Sequence, residues 1–217
     1  LESIQVNYAP TKHTYVAGET FVPDGMRVIA TFGNEGLSSG EKKAYVTDFT
    51  CDTAGALSGE NKTVTVSYTF NGVTKTDSFD VVVVDPGVAP SQDENGVYLI
   101  GNAEDIMWLS KQVSRLGNTQ LNARLANSIN LSGTDFIPIG ISTTQNVTTE
   151  QGGNLKYTWA NLYQGTFDGS GKEVTLGLTG TTGMGLIGAA DGAVIKDVTV
   201  KGSVQGTENV AGVVGYA

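Results

Sequence analysis

After a slide of 27 residues, Gly185-Leu186-Ile187-Gly188 falls on Gly212-Val213-Val214-Gly215. A slide of 22 places Leu176 on Val198, Leu178 on Val200 and Gly180 on Gly202. Short alternating apolar runs recurring at this spacing are too far apart for hairpins. They fit a solenoid, whose coils of about 20–30 residues each turn the same apolar row inward and stack on their neighbours. Glycines at the corners let the backbone bend where φ must be positive. No other feature of the chain restricts its fold as strongly.

The repeat occupies only part of the chain. Of 29 glycines, 8 precede residue 86 and 21 follow it. The change coincides with "VDPGVAPSQDENG", Val84 to Gly96, where prolines and polar residues interrupt the periodicity, and this places a linker at 86–96. Before it, "SIQVNY", "YVAGETFVPDGMRVIATF" and "KKAYVTDFTC" read as short strands with a turn at Pro23-Asp24-Gly25. Asn71-Gly72, between two alternating β-branched and aromatic runs, predicts a hairpin. Val64, Val66, Tyr68 and Phe70 share one of its faces, and Phe79, Val81 and Val83 can point into the same core. Several short strands with Gly/Pro turns predict a β-sandwich over residues 1–85.

One helix is expected, at about 103–116. Asn102 can cap it, and Glu104 and Asp105 lie in the first turn, where the helix dipole favours anions. Ile106, Leu109 and Val113 make its apolar stripe, Trp108 widens the buried face, and Gly117 ends it. Beyond it, "YQGTFDGSGKEVTLGL" has the glycines and lysine of a phosphate loop. The spacing is wrong, however, because Thr166 stands six before Lys172 and Glu173 follows it. A strand follows instead of a helix, so Asp168-Gly169-Ser170-Gly171 reads as a corner between strands.

Composition excludes several chemistries. Cys51 and His13 are the sole cysteine and histidine, which removes intrachain disulfides and nearly excludes Cys/His zinc sites and Ser-His-Asp or Cys-His catalysis. The net charge is −9, with 13 scattered basic residues, so no nucleic-acid partner is expected. No apolar run reaches the length of a membrane span. No cofactor, no metal site and no catalytic residue is expected. The carboxylates on the repeating coils, Asp168, Glu173, Asp191 and Asp197, are the candidates a glycoside hydrolase would need, but turn formation accounts for Asp168 and Asp191 and solvation for Asp197. Tyr157, Trp159 and Tyr163, in a Gly/Thr/Asn-rich segment, are candidate ligand-binding aromatics that could stack on sugar rings. Alternation of Tyr157 and Trp159 equally fits a short strand pinned on the helix.

Two resemblances follow from these residues. "YVAGETFVPDGMRVIATFGNEG" with "VTVSYTFNGVTKTDSFDVVV" resembles the bacterial immunoglobulin-like domains of Gram-positive surface proteins, with Met26 where leucine is usual. That likeness covers about residues 1–85 and implies a stalk or spacer without catalytic residues. "INLSGTDFIPIG", "YQGTFDGSGKEV", "GLIG…IKDVTVKGSV" and "VAGVVGYA" resemble the β-helical region of surface proteins with GLUG-type repeats, over about 97–217. This likeness implies a right-handed parallel β-helix with an N-terminal capping helix, in which Gly185, Leu186, Gly188, Gly212, Val213 and Gly215 are structural repeat positions. Such repeats accompany some surface-anchored metallopeptidases, whose His-Glu-x-x-His signature this chain lacks. Ile141–Leu162 reads as an insertion, and the repeat array is expected to be C-terminally incomplete within a piece of a longer protein.

The expected fold is therefore all-β: an immunoglobulin-like β-sandwich, then a parallel β-helix (β-solenoid) with a capping helix. The expected function is a non-catalytic fragment of an extracellular, surface-attached bacterial protein, serving as stalk, scaffold and adhesion or ligand-binding module for a glycan or protein. The alternatives are a polysaccharide-binding or polysaccharide-degrading β-helix, or the accessory region of a larger peptidase.

Overall fold

A computed structural model describes residues 1–33, 42–53, 55–59 and 61–217, except the side chains of 144–146 and 159. Asn34, Glu35 and Gly36, at the end of the first motif, lie outside the described residues, as does the Trp159 side chain. The described residues are mostly strand, with one helix, so the fold is all-β. Among the described residues no helix is long and apolar enough to cross a membrane. Two compact units emerge: Leu1–Asp85 with Thr144–Thr158, and Pro86–Thr143 with Trp159–Ala217.

The first unit contains β1 (Ser3–Tyr8), β2 (Thr14–Val16), β3 (Arg27–Thr31), β4 (Lys43–Val46), β5 (Thr50–Cys51), β6 (Asn61–Phe70) and β7 (Val73–Val84). They form a three-stranded antiparallel sheet ordered β1-β3-β4 and a four-stranded sheet ordered β2-β7-β6-β5, in which β2 runs parallel to β7. Alternation sends Ile4, Val6, Val28 and Ala30 inward from the first sheet and Val64, Val66, Phe79 and Val81 from the second, all buried. The β6–β7 hairpin closes at Asn71-Gly72, with φ of 48° and 76°, and pairs Phe70 with Val73. Both central residues are thus left-handed, as a two-residue turn matched to strand twist requires.

The run from Tyr15 to Phe21 divides its work among its residues. The Tyr15 ring is buried and its hydroxyl donates to the Lys12 carbonyl at 2.8 Å. Glu19 accepts the Val16 N–H at 2.8 Å and holds Lys12 at 2.9 Å. Phe21 lies between the Tyr15 and Phe79 rings, 5.9 and 6.3 Å away. A carboxylate and two aromatics thereby fix the chain's entry into the core.

The second unit starts earlier than a free linker would allow. Leu99 N–H donates to Ser91 O at 2.8 Å, and Asp93 pairs with Arg124 at 3.0 Å, so the second half of 86–96 is packed structure. Then come β8 (Tyr98–Ile100), α1 (Ala103–Ser114), β9 (Ala123–Leu125), β10 (Ile129–Asn130), β11 (Ile141–Thr148), β12 (Asn154–Asn161), β13 (Thr166–Thr179), β14 (Thr182–Met184), β15 (Ile187–Ala189), β16 (Val194–Gln205), β17 (Glu208–Val210) and β18 (Val214–Tyr216). Helix α1 begins where its cap predicts: Asn102 Oδ1 accepts the Asp105 N–H at 3.0 Å. Ile106, Trp108, Leu109 and Val113 are buried, and Gly117 beyond its end takes φ 78°. Ser110 and Ser114 hydroxyls donate to the Ile137 and Pro138 carbonyls, so no buried hydroxyl on the inner face lacks a partner.

Apart from β11 and β12, whose residues 144–158 fall in the first unit, these strands pair in parallel. Tyr98 stands beside Ala123, Phe167 beside Ala123 and Ile195, Val174 beside Ile129 and Val200, and Ile187 beside Val214. Between β13 and β16 the offset is 28 residues at Phe167–Ile195 and 26 at Leu176–Gly202, and between β15 and β18 it is 27. The slide of 22 is therefore corrected. Leu176 lies beside Gly202, and Val198 lies beside Lys172. The change from 28 to 26 occurs at the irregularity between Asp168 and Lys172, where the earlier strand spends two more residues on its corner. Gly202 has φ 98°, and a Cβ there would sit 2.0 Å from Leu176 O, so only glycine fits.

The inserted segment is also corrected. Strands β11 and β12 pair with each other. Residues 144–158, expected in the second region, belong to the first unit. Asp77 is the anchor. Its buried carboxylate accepts the N–H groups of Val6 at 2.8 Å, Ser78 at 2.9 Å and Gln151 at 2.9 Å. One side chain thus ties β1, β7 and the β11–β12 turn together.

Candidate functional site

The three aromatics Tyr157, Trp159 and Tyr163 do not make a stacking platform. Tyr157 is buried in the first unit, its ring parallel to His13 at 4.4 Å and its hydroxyl donating to Asp80 O at 3.3 Å. Tyr163 belongs to the second unit, fully buried, with its hydroxyl on Leu121 O at 2.8 Å. Desolvation by burial raises the pKa of both phenols. The reason is alternation: Leu155 and Tyr157 point inward while Asn154, Lys156 and Thr158 point out, so polar neighbours in sequence say nothing about the ring itself. Tyr157 is pinned on His13 instead of on the helix. With two of the three rings buried and Trp159's side chain outside the described residues, the set is withdrawn as a sugar-stacking site.

The carboxylates on and beside β13 and β16 are structural in their geometry. Asp168 Oδ1 accepts the Ser170 N–H at 2.8 Å, closing the corner, while Oδ2 pairs with Lys196 at 3.1 Å. The Ser170 N–H first, then Lys196, hold its carboxyl below the usual range against a desolvation penalty, so Asp168 has no proton to donate at neutral pH. Glu173 pairs with Lys201 at 2.7 Å. Asp197 sits at the next coil's corner with φ 52°, and Asp191 N–H donates to Tyr163 O in a turn. Along the outer face Arg124, Asp168 and Lys196 lie in register on three adjacent strands. With Asp93 they form a self-neutralising charge ladder beside a shallow groove of about 280 Å³.

The repeat glycines mark close contact between parallel-paired segments. Leu186 N–H donates to Gly212 O at 3.1 Å and Ile187 N–H to Val213 O at 2.8 Å. A Cβ on Gly188 would meet Gly140 O at 2.6 Å and Gly183 O at 2.7 Å, and one on Gly215 would meet Asn209 O at 2.5 Å. Ile139-Gly140 belongs to the same stack, because Ile139 bridges Ile187 in parallel. In the sequence, "FIPIG" carries too little of the Gly-x-x-Gly pattern to reveal that link. Cys51 is half-buried, and desolvation, helped by Asp52, pushes its thiol pKa to about 11, so it is protonated and a poor nucleophile. Among the described residues no three His, Cys, Asp or Glu side chains converge as metal ligands.

A different set of residues forms an exposed cluster. On the outer face of the β1-β3-β4 sheet, the Arg27 guanidinium lies over the Tyr8 ring at 5.2 Å and the Tyr45 ring at 5.8 Å. The two tyrosines are 51% and 54% exposed, which is unusual for large aromatics. An irregularity between Val6 and Tyr8 places Tyr8 opposite Arg27. Tyr45 stands opposite Ile29, two residues from Arg27 on β3 and therefore on the same face. Asn7 Nδ2 donates to the Tyr45 hydroxyl at 3.2 Å. The sequence signal is faint: Tyr8 ends "SIQVNY" at what alternation alone makes an inward position, and only the added residue of the bulge turns it out.

The chain matches no protein-family model, no curated protein and no solved structure.

Proposed function

We propose that this chain is a non-catalytic module of an extracellular bacterial surface protein. In this reading an immunoglobulin-like β-sandwich serves as stalk, and a right-handed parallel β-helix of GLUG-type coils, capped by α1, serves as a rigid scaffold that displays ligand-binding surface. The observation carrying it is the repeated parallel register: Tyr98 to Ala123, Phe167 to Ile195 and Ile187 to Val214 are steps of 25, 28 and 27 residues, each placing an apolar residue beside another. The acidic composition fits a soluble exterior, and the coil carboxylates are occupied by corners and lysines.

Incubation with a panel of polysaccharides is expected to release neither reducing ends nor unsaturated products. Turnover abolished by Asp168→Asn would overturn the non-catalytic reading. The coil register has its own test. Thr175 and Lys201 are partners, so Thr175→Cys with Lys201→Cys is expected to close a disulfide under mild oxidation, whereas Thr175→Cys with Asp197→Cys, the pairing of a 22-residue step, stays reduced.

A further inference from the structure

The β1-β3-β4 face holds a cation, Arg27, against two exposed tyrosine rings. Arg27 is exposed, and no salt bridge among the described residues involves it or Lys43, which lies two residues from Tyr45 on the same face of β4. Among the described residues, the neighbours fixed beside this guanidinium are two ring faces. Ring faces attract the cation without using up its N–H edge, and they hold the planar fork in place before any ligand arrives. The remaining edge of Arg27 suits a carboxylate, which it can grip with two parallel hydrogen bonds. The exposed surface of each tyrosine ring is flat and apolar with a hydroxyl at its rim, and the Asn7 amide adds a polar group at the same edge.

We propose that this face binds an acidic carbohydrate, with the sugar carboxylate on Arg27 and the C–H face of a sugar ring against Tyr8 or Tyr45. A saccharide ring offers an apolar face surrounded by hydroxyls, which matches an aromatic platform rimmed by hydroxyl and amide groups. A flexible acidic peptide satisfies the guanidinium and leaves the rings unused. Charge complementarity selects the acid: Arg27 and Lys43 are the charged side chains on this face of the strands. The proposal rests on the ligand-binding part of the function proposed above, places that binding on the first unit, and is independent of the second.

The test is calorimetric titration of the full chain with trigalacturonate, its methyl ester, sialyllactose and a hexaglutamate peptide. Saturable binding of at least one acidic sugar is expected. Esterification of the trigalacturonate and the Arg27→Gln substitution are each expected to weaken trigalacturonate binding about ten-fold or more. Tyr45→Ala weakens it several-fold and Tyr45→Phe largely restores it, with unchanged thermal midpoints showing that the variants fold. The proposal is overturned if neither acidic sugar binds, if the ester binds equally well, if Arg27→Gln has no effect, or if hexaglutamate binds as tightly. Any of those results leaves the scaffold reading standing, because that reading fails on the turnover and disulfide measurements instead.

Discussion

The two units solve register in different ways. In the first, β6 and β7 are joined by a two-residue turn, so Phe70 must face Val73 and every later pair follows from local geometry. In the second, the partners of β13 lie 26–28 residues away on β16 and 44–45 residues away on β9 and β10, and no turn dictates them. Register there is set by what the paired strands cannot tolerate: a Cβ at Gly188, at Gly202 or at Gly215 would enter a neighbouring backbone. The first unit is fixed by its turns and its buried Asp77, the second by side-chain rows and by the absence of side chains. Local contacts close early and cheaply in chain entropy, whereas coil-to-coil contacts need longer loops to close first.

This contrast can be broken at several points. The largest effect is expected for Phe167→Ala. The ring is fully buried between Ala123 and Ile195 on the neighbouring strands, and its loss should cost the second unit about 3–5 kcal/mol in denaturant unfolding. Next, Gly202→Ala combines positive φ with a clash against backbone and should cost about 3 kcal/mol, whereas Gly72→Ala, with φ 76° and open space around it, should cost about 1 kcal/mol. Equal losses at the two glycines would mean that coil contact does not set register in the second unit. Asp77→Asn comes third. The amide has one accepting oxygen where the carboxylate offers two to Val6, Ser78 and Gln151, so the first unit should lose about 2 kcal/mol, read from its own transition.

The smallest effect concerns pH. Burial lowers the pKa of His13, with a partial offset from a hydrogen bond to the Thr11 backbone. The unfolded chain then binds a proton more readily than the folded one. Stability from the neutral His13–Tyr157 stack is present above the ordinary histidine value, near about 6.5, and is lost as pH falls through the lower folded value. Thermal midpoints of the first unit should decline below that pH, and His13→Asn should flatten the decline. A midpoint that rises on acidification would reverse the assignment of His13 as a half-buried neutral ring.

Features governed by neighbours in sequence are legible in the order of residues alone. The Asn102 cap, the stripe of Ile106, Leu109 and Val113, the Asn71-Gly72 turn and the corner at Asp168 each depend on a few adjacent residues. The coil offset is harder. A strand's side chains repeat every two residues, so slides of 22 and 26 both place alternating apolar rows on one another, and composition cannot choose between them. The choice rests on the two extra corner residues after Asp168 and on the space that Gly202 leaves for Leu176 O. The binding candidates are harder still. Polar neighbours make Tyr157 look exposed, yet it stacks on a histidine that is 144 positions earlier in the chain.

By itself, the amino-acid order determined that this chain is built mostly of strands, where its helix starts, and that its single cysteine and histidine leave few catalytic options. Tertiary structure alone decided that Tyr157 is interior, that residues 144–158 join the first unit, and that Tyr8, Arg27 and Tyr45 share a face. The physical reason is range. Periodicity, capping and turn chemistry act over a few residues, whereas burial and cation–ring contact depend on which distant strands become neighbours, and a two-residue alternation does not specify that.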